Sequence, residues 1–181
     1  LSALRRDVGI VQQDIFLFSD TIKQNIAYGV VDTDMEQIVE AAKAAYLHDF
    51  VKSLPDGYDT WVGERGITLS GGEKQRLAIA RTLLTDPAIL ILDDSTSNID
   101  PGMEHLIRLA LGKLIKGRTS FIITHRLPII KNADLILVLH DGLLVEQGKH
   151  HDLMTGNGLY KKIYESQISA GDISDGKYQK E

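Results

Sequence analysis

Two adjacent carboxylates, Asp93 and Asp94, close the aliphatic run Ala88–Leu92, and a Ser, Thr and Asn cluster leads on from them to Asp100. A single aspartate at a strand end commonly caps the turn or helix that follows. Two in succession, at the carboxyl end of an all-aliphatic strand, point instead to ligand chemistry. That edge of an open α/β sheet is where ligands bind, and a carboxylate there can hold a metal ion. A second candidate is LSGGEKQR, Leu69 to Arg76. Ser70 can cap a helix entered through Gly71 and Gly72, and the start of such a helix offers free amides, the positive end of the macrodipole and glycines that admit a phosphate close to the backbone. The same string is also an ordinary capped helix start. Gln13 and His125 each follow a strand-like run, and taken singly they read as a loop polar residue and a structural histidine.

The elements that position these residues follow from periodicity. Val8 to Val11 is a short strand running into Gln12, Gln13 and Asp14. From Ser19 to Leu54, apolar residues at spacings of three and four predict helix, and Leu54 to Gly66 is a turn-rich loop punctuated by Pro55, Asp56 and Gly57. The helix that begins at Ser70 ends at Asp86 and Pro87. Strand and helix then alternate: Ala88 to Leu92, Pro101 to Ile115 and Thr119 to Ile123. Leu135 to Leu139 and Leu143 to Glu146 pair as a hairpin through His140, Asp141 and Gly142. Two short helices, His151 to Met154 and Gly158 to Gln167, precede a polar, small-residue tail. The pattern indicates a largely parallel sheet with helices on its faces and a helical insertion.

Composition sets the outer limits. The chain has 181 residues, enough for one domain or slightly more that buries roughly 70% of its unfolded surface. Its 43% hydrophobic and 25% charged content fits a soluble protein, and aliphatic runs such as Ala88–Leu92 and Leu135–Leu139 fall far short of the ~20 residues a membrane span needs. No leader-like segment opens the chain. A net charge of −5 without a basic stripe argues against nucleic acid as a partner. With no cysteine there are no disulfides or thiolate zinc sites, which fits a cytosolic setting.

Together, LSGGEKQR and ILILDDSTSNIDP resemble the ATP-binding domain of ABC transporters: the first its signature loop, the second its Walker B strand and D-loop. VGIVQQDIFLFSDTIKQNIAYG resembles the Q-loop region, WVGERG the loop before the signature in exporter-type members, FIITHRL the switch-histidine strand, and VLHDGLLVEQGKHHDLM the strand pair and helix that follow. The resemblance covers about residues 4 to 168. It implies an α/β fold, a P-loop NTPase-type parallel sheet flanked by helices with an inserted helical subdomain, N-terminally truncated. The implied segments are a truncated core with the Q-loop (1–18), a helical subdomain ending in the signature loop and helix (19–86), the core with Walker B, D-loop and switch histidine (87–168), and a flexible tail (169–181).

The resemblance also implies cofactors, roles and partners. The cofactors are ATP and Mg2+. Asp93 would hold the hydrated magnesium that bridges the β- and γ-phosphates, Gln13 would complete its shell, and His125 would donate to the γ-phosphate. Ser70, Gly71 and Gly72, with Glu73 beside them, would act on nucleotide held by a partner subunit, and Ser97 and Asp100 would lie in the D-loop between the two sites. The partners are a second ABC ATPase subunit, in a homodimer or a heterodimer, and an ABC transmembrane domain, which places the chain at the cytoplasmic face of the cell membrane.

Two departures from the family pattern stand out. No G-x-x-x-x-G-K-[ST] string occurs in the chain, so the amides and lysine that cradle the phosphates are missing, and the family places them upstream. The Walker B aspartate is normally followed by a glutamate that polarises the attacking water, whereas here the position is Asp94. The shorter side chain withdraws the carboxylate by roughly 1 Å, a displacement that costs about 100-fold at a reacting group. Asp94 then reads either as the weakened site of a heterodimer or as a tolerated change in a working homodimer. An exporter ATPase is the leading function, and a regulatory or dimerising subunit that does not hydrolyse nucleotide is its alternative. A soluble ABC ATPase of DNA repair or translation fits the exporter-like blocks and the charge less well.

The 181-residue chain is predicted to bind magnesium-ATP weakly or not at all. Titration calorimetry is expected to show no saturable heat at millimolar ATP, and micromolar binding would contradict the need for a phosphate cradle.

Overall fold

The structure is a computed structural model that describes residues 7–63, 66–93, 101–124 and 130–169. The chain divides into two compact units, Leu1–Ile123 and Thr124–Glu181.

In the first unit, β1 (Val8–Val11) leads through a loop to β2 (Asp20–Thr21), followed by α1 (Ile22–Ala27), α2 (Met35–Ala44) and α3 (His48–Ser53). A 3-10 turn at Gly57–Asp59 precedes β3 (Trp61–Val62), and then come α4 (Gly71–Thr85), β4 (Ile89–Asp93), α5 (Pro101–Ile115) and β5 (Thr119–Ile123). Strands β1, β4 and β5 form a parallel sheet in that order. The α/β architecture expected from the sequence is therefore present, with the helix-rich stretch between β1 and β4.

The helices begin and end where local chemistry requires. Asp34 caps α2 with a full capping box, its carboxylate accepting from Gln37 N while the Gln37 side chain accepts from Asp34 N. α4 stops at Asp86, which takes the left-handed conformation (φ 45°) just before Pro87 and pairs with Arg118. One difference from the sequence reading lies within the expected helical and loop stretches. β2 and β3 pair antiparallel, Asp20 with Val62 and Thr21 with Trp61. A two-residue strand carries no readable periodicity, so only the folded chain reveals it.

The register decides which sheet face is covered. Gly9, Leu90 and Ser120 lie side by side, as do Val11, Leu92 and Ile122. Val11, Leu90 and Leu92 on this face are fully buried, within the same apolar cluster as Leu77, Ile79, Ile107 and Leu114 of α4 and α5. Each such aliphatic side chain contributes about 2 kcal/mol on burial. The opposite face carries the row Ile10, Ile91, Phe121 and the pair Asp93, Ile123. Ile10, Phe121 and Ile123 are each more than half exposed. Parallel sheets ordinarily have both faces covered.

The second unit holds β6 (Ile136–His140), β7 (Leu143–Gly148), α6 (His150–Thr155) and α7 (Leu159–Ser169). Residues 170–181, most of the expected tail, lie outside the described residues. β6 and β7 pair antiparallel, and the two turn residues Asp141 (φ 49°) and Gly142 (φ 76°) both take the left-handed conformation that a tight hairpin needs. Ile136, Val138, Tyr160 and Tyr164 form its small core. His150 Nδ1 lies 2.7 Å from the Tyr160 hydroxyl, and burial together with Lys131 and His151 pushes the His150 pKa down. Leu137, Leu139, Leu143 and Leu144 remain exposed.

These bare apolar surfaces predict that the 181-residue chain self-associates in solution. Light scattering should show species larger than a monomer at micromolar concentration. A monodisperse monomer with one cooperative melting transition would contradict this.

Candidate functional site

The best-defined part of the site is the start of α4. Ser70 is extended (φ −63°, ψ 163°), and its hydroxyl accepts from Glu73 N at 3.3 Å, while Glu73 Oε2 accepts from Ser70 N at 2.7 Å. This is a complete capping box. A helix leaves its first four amides without intrahelical partners, and the amides of Gly71 and Gly72 stay outside both cap bonds. Ser70 and Gly71 are exposed, so the loop presents a hydroxyl and amides at the positive end of a helix of 15 residues.

The other two members of the expected anion site behave differently. Gly72 is buried, and a Cβ on it would lie 3.2 Å from Met103 Cβ and 3.7 Å from Ile107 Cδ1. Its missing side chain lets α4 pack tightly on α5, so close packing alone accounts for a glycine here. The Glu73 carboxylate is engaged with Ser70 N, where it neutralises part of the helix-end charge and holds the turn in shape. The spacing Ser70-x-x-Glu73 was the legible signal for this cap.

One turn on, Arg76 is 2% exposed, yet its Nε has no hydrogen-bond partner among the described residues. Its Nη1 donates to the weak acceptor Met103 Sδ, at 3.7 Å. Burial lowers the Arg76 pKa and the nearby Glu73 partly restores it. Arg76 lines a cavity of about 520 Å³ with Tyr46, His48, Phe50, Glu73 and Met103. A residue that sequence reasoning left without a role is thus a buried cation under the Ser70 turn.

At the sheet edge, Asp93 is the last residue of β4 and half-buried, and Gln13 lies exposed two residues past β1. Because Val11 pairs with Leu92, Asp93 lies at, and Gln13 just past, the carboxyl ends of neighbouring parallel strands. Among the described residues, no group of three or more His, Cys, Asp or Glu could hold a metal ion. A single carboxylate beside an amide oxygen still fits magnesium, which keeps several waters and takes one or two carboxylates together with substrate phosphates. Asp94, Ser97, Asp100 and His125 lie outside the described residues.

A third arrangement joins α4 to the segment that follows Gln13. Arg81 Nε donates to the Asn25 carbonyl at 2.8 Å, its Nη2 to Asn25 Oδ1 at 3.2 Å and its Nη1 to the Phe16 carbonyl at 3.4 Å. Beside it, Phe18, Tyr28, Val31, Met35 and Ile38 line a groove of about 700 Å³.

The family model described as "ABC transporter" matches residues 1–97. The chain is 54% identical over 167 residues to the uncharacterized ABC transporter ATP-binding protein YknU of Bacillus subtilis (strain 168), covering 92% of this chain and 28% of that protein. It is 52% identical over 167 residues to the ATP-dependent lipid A-core flippase of Legionella pneumophila (strain Paris), again covering 92% of this chain and 28% of the relative. The chain therefore spans little more than a quarter of the length of these relatives. Among solved structures, a bacterial Atm1-family ABC exporter with ATP bound superposes with a TM-score of 0.85 at 48% identity, covering 92% of this chain and 30% of that one.

The cap geometry predicts that Ser70→Ala destabilises the chain by about 1 kcal/mol and lowers its melting temperature by about 3 °C. An unchanged thermal transition would show that the capping bonds do not persist in solution.

Proposed function

The chain belongs to the ABC transporter family, and from that premise we propose that it is the ATP-binding and ATP-hydrolysing domain of an exporter, coupling hydrolysis to transmembrane transport. The observation that carries the reading is an intact, capped signature turn on Ser70 in a chain whose water-polarising position is the shortened Asp94. One half of the machinery is sound and the other is weakened. The domain then serves chiefly as the second half of a paired site: its Ser70–Gly71 turn offers a hydroxyl and free amides to nucleotide held by a second ABC ATPase subunit.

In this reading, the segments are those of the sequence analysis: core at 1–18 and 87–168, with the helical subdomain at 19–86. Bound Mg2+ would neutralise charge on the phosphates. Asp93 and Gln13 would hold its waters at the sheet edge, His125 would hydrogen-bond the terminal phosphate, and Ser97 and Asp100 would lie between the paired sites. Glu73 would act through the cap rather than on nucleotide, because its carboxylate already accepts from Ser70 N. No helix among the described residues is long and apolar enough to cross a membrane; in this reading the transport path lies in an ABC transmembrane domain. The exposed aromatics Phe16 and Tyr28, beside the groove that follows Gln13, suit an apolar segment of that partner at the cytoplasmic face. The second reading, a dimerising subunit that binds nucleotide without hydrolysing it, is favoured by Asp94 alone.

Steady-state ATP hydrolysis by the full-length transporter separates these readings. With a weakened site of its own, Asp94→Ala should lower turnover modestly. Ser70→Arg should nearly abolish it, because bulk and positive charge enter the partner's phosphate site. Asp94→Glu should raise turnover. If Asp94→Ala removes activity as completely as Ser70→Arg, Asp94 is a working catalytic carboxylate and the weakened-site reading fails.

A further inference from the structure

Arg81 sits near the C-terminal end of α4, yet its guanidinium reaches a segment more than fifty residues earlier in the chain. Its three bonds go to the Phe16 carbonyl, the Asn25 carbonyl and Asn25 Oδ1. Asn25 is fully buried and binds the same segment from within. Its Oδ1 accepts from Phe18 N at 2.9 Å, and its Nδ2 donates to the carbonyls of Phe18 at 2.9 Å and Thr21 at 3.1 Å. The guanidinium also lies 5.7 Å from the Phe18 ring centre and 5.6 Å from that of Tyr28. Those two rings stack at 4.0 Å, and Phe16 meets Phe18 edge-on at 5.1 Å.

One side chain therefore gathers a loop, a helix and an aromatic surface and fixes them to α4. A planar fork that donates in several directions and stacks on rings does this, whereas lysine offers a point charge on a flexible stem. The aromatic surface itself faces outward: Phe16 is 67% and Tyr28 54% exposed. The other end of the same helix carries Ser70.

We propose that Arg81 is a positioning residue: through Asn25 and the Phe18–Tyr28 stack it ties the outward aromatic surface to the signature helix, so that a partner's load on Tyr28 is passed to the Ser70 turn. This rests on the exporter reading, in which Tyr28 meets the membrane partner and Ser70 meets nucleotide. Packing of Ile22 and Ile26 also holds α1 in the apolar core with α4. The Arg81 bonds add what such packing lacks, a directional link to the loop at Phe16 and Phe18.

The test is a double-mutant cycle on ATP turnover by the full-length transporter in phosphatidylcholine–phosphatidylglycerol vesicles, using Arg81→Lys, Tyr28→Ala and the pair. Each single change is expected to lower kcat by about 10-fold, with the KM for ATP held within about twofold. The double variant should be no slower than the slower single, because both changes break one link. Losses that multiply in the double variant, or a raised KM with unchanged kcat, would overturn the positioning role. If Arg81→Lys does not assemble, Asn25→Asp takes its place. It keeps the side-chain bulk and an oxygen facing Arg81 while withdrawing the bonds donated to Phe18 and Thr21, and the same outcomes decide. Turnover that survives Ser70→Arg would refute the exporter reading itself. Turnover abolished by Ser70→Arg, with Arg81 and Tyr28 effects that multiply, would refute the positioning role alone.

Discussion

The first unit is organised around one constraint: α4 has to be buried on most of its circumference while keeping Ser70 and Gly71 at its start in solvent. Gln75, Arg76, Leu77, Ala78, Ile79, Ala80 and Thr82 are all buried. A helix buried on so many sides needs partners in several directions, and α4 packs against α1, α2, α5 and β1. Polar groups carried inward need satisfaction as well. Thr82 Oγ1 returns its proton to the Ala78 carbonyl at 2.9 Å, and Arg81 finds acceptors across the fold. Arg76 is one exception, its Nε without a partner among the described residues and its side chain beside a cavity.

The same constraint accounts for small side chains at particular points. Gly72 allows α5 to approach the first turns of α4. At the other end, a Cβ on Gly9 of β1 would lie 2.6 Å from Pro87 Cγ and 2.9 Å from Thr82 Cγ2, so the strand passes close beneath the helix end because it has no side chain there. With both ends of α4 set by close packing, its exposed turn gains a defined position without a ligand. The capping box then fixes the turn's local shape.

A second consequence concerns charge. The helix start is positive by its dipole, but the Glu73 carboxylate on Ser70 N offsets part of that charge. Arg76 lies one turn deeper, where burial disfavours its charged form and Glu73 favours it. Glu73 therefore accepts from Ser70 N in the cap and also favours the charged form of Arg76.

Sequence alone was enough for the order and type of the longer elements, because each carries its own period and punctuation. Val8–Val11, Pro101–Ile115 and Thr119–Ile123 were readable to the residue, as was the stop at Asp86 and Pro87. It also determined the family, because LSGGEKQR and ILILDD are contiguous strings whose meaning does not depend on what folds against them. The cap on Ser70 was equally local, and hence legible. Relations between distant residues emerged only in the folded chain. β2 pairs with β3 across some forty residues, Gly72 is small for the sake of Met103, one sheet face is covered and the other bare, and Arg81 binds Phe16 and Asn25. Periodicity says which side of an element is apolar, but it does not say which other element will lie against that side. Hydrogen bonds and close packing at such contacts depend on three-dimensional approach, and that exists only once the chain has folded.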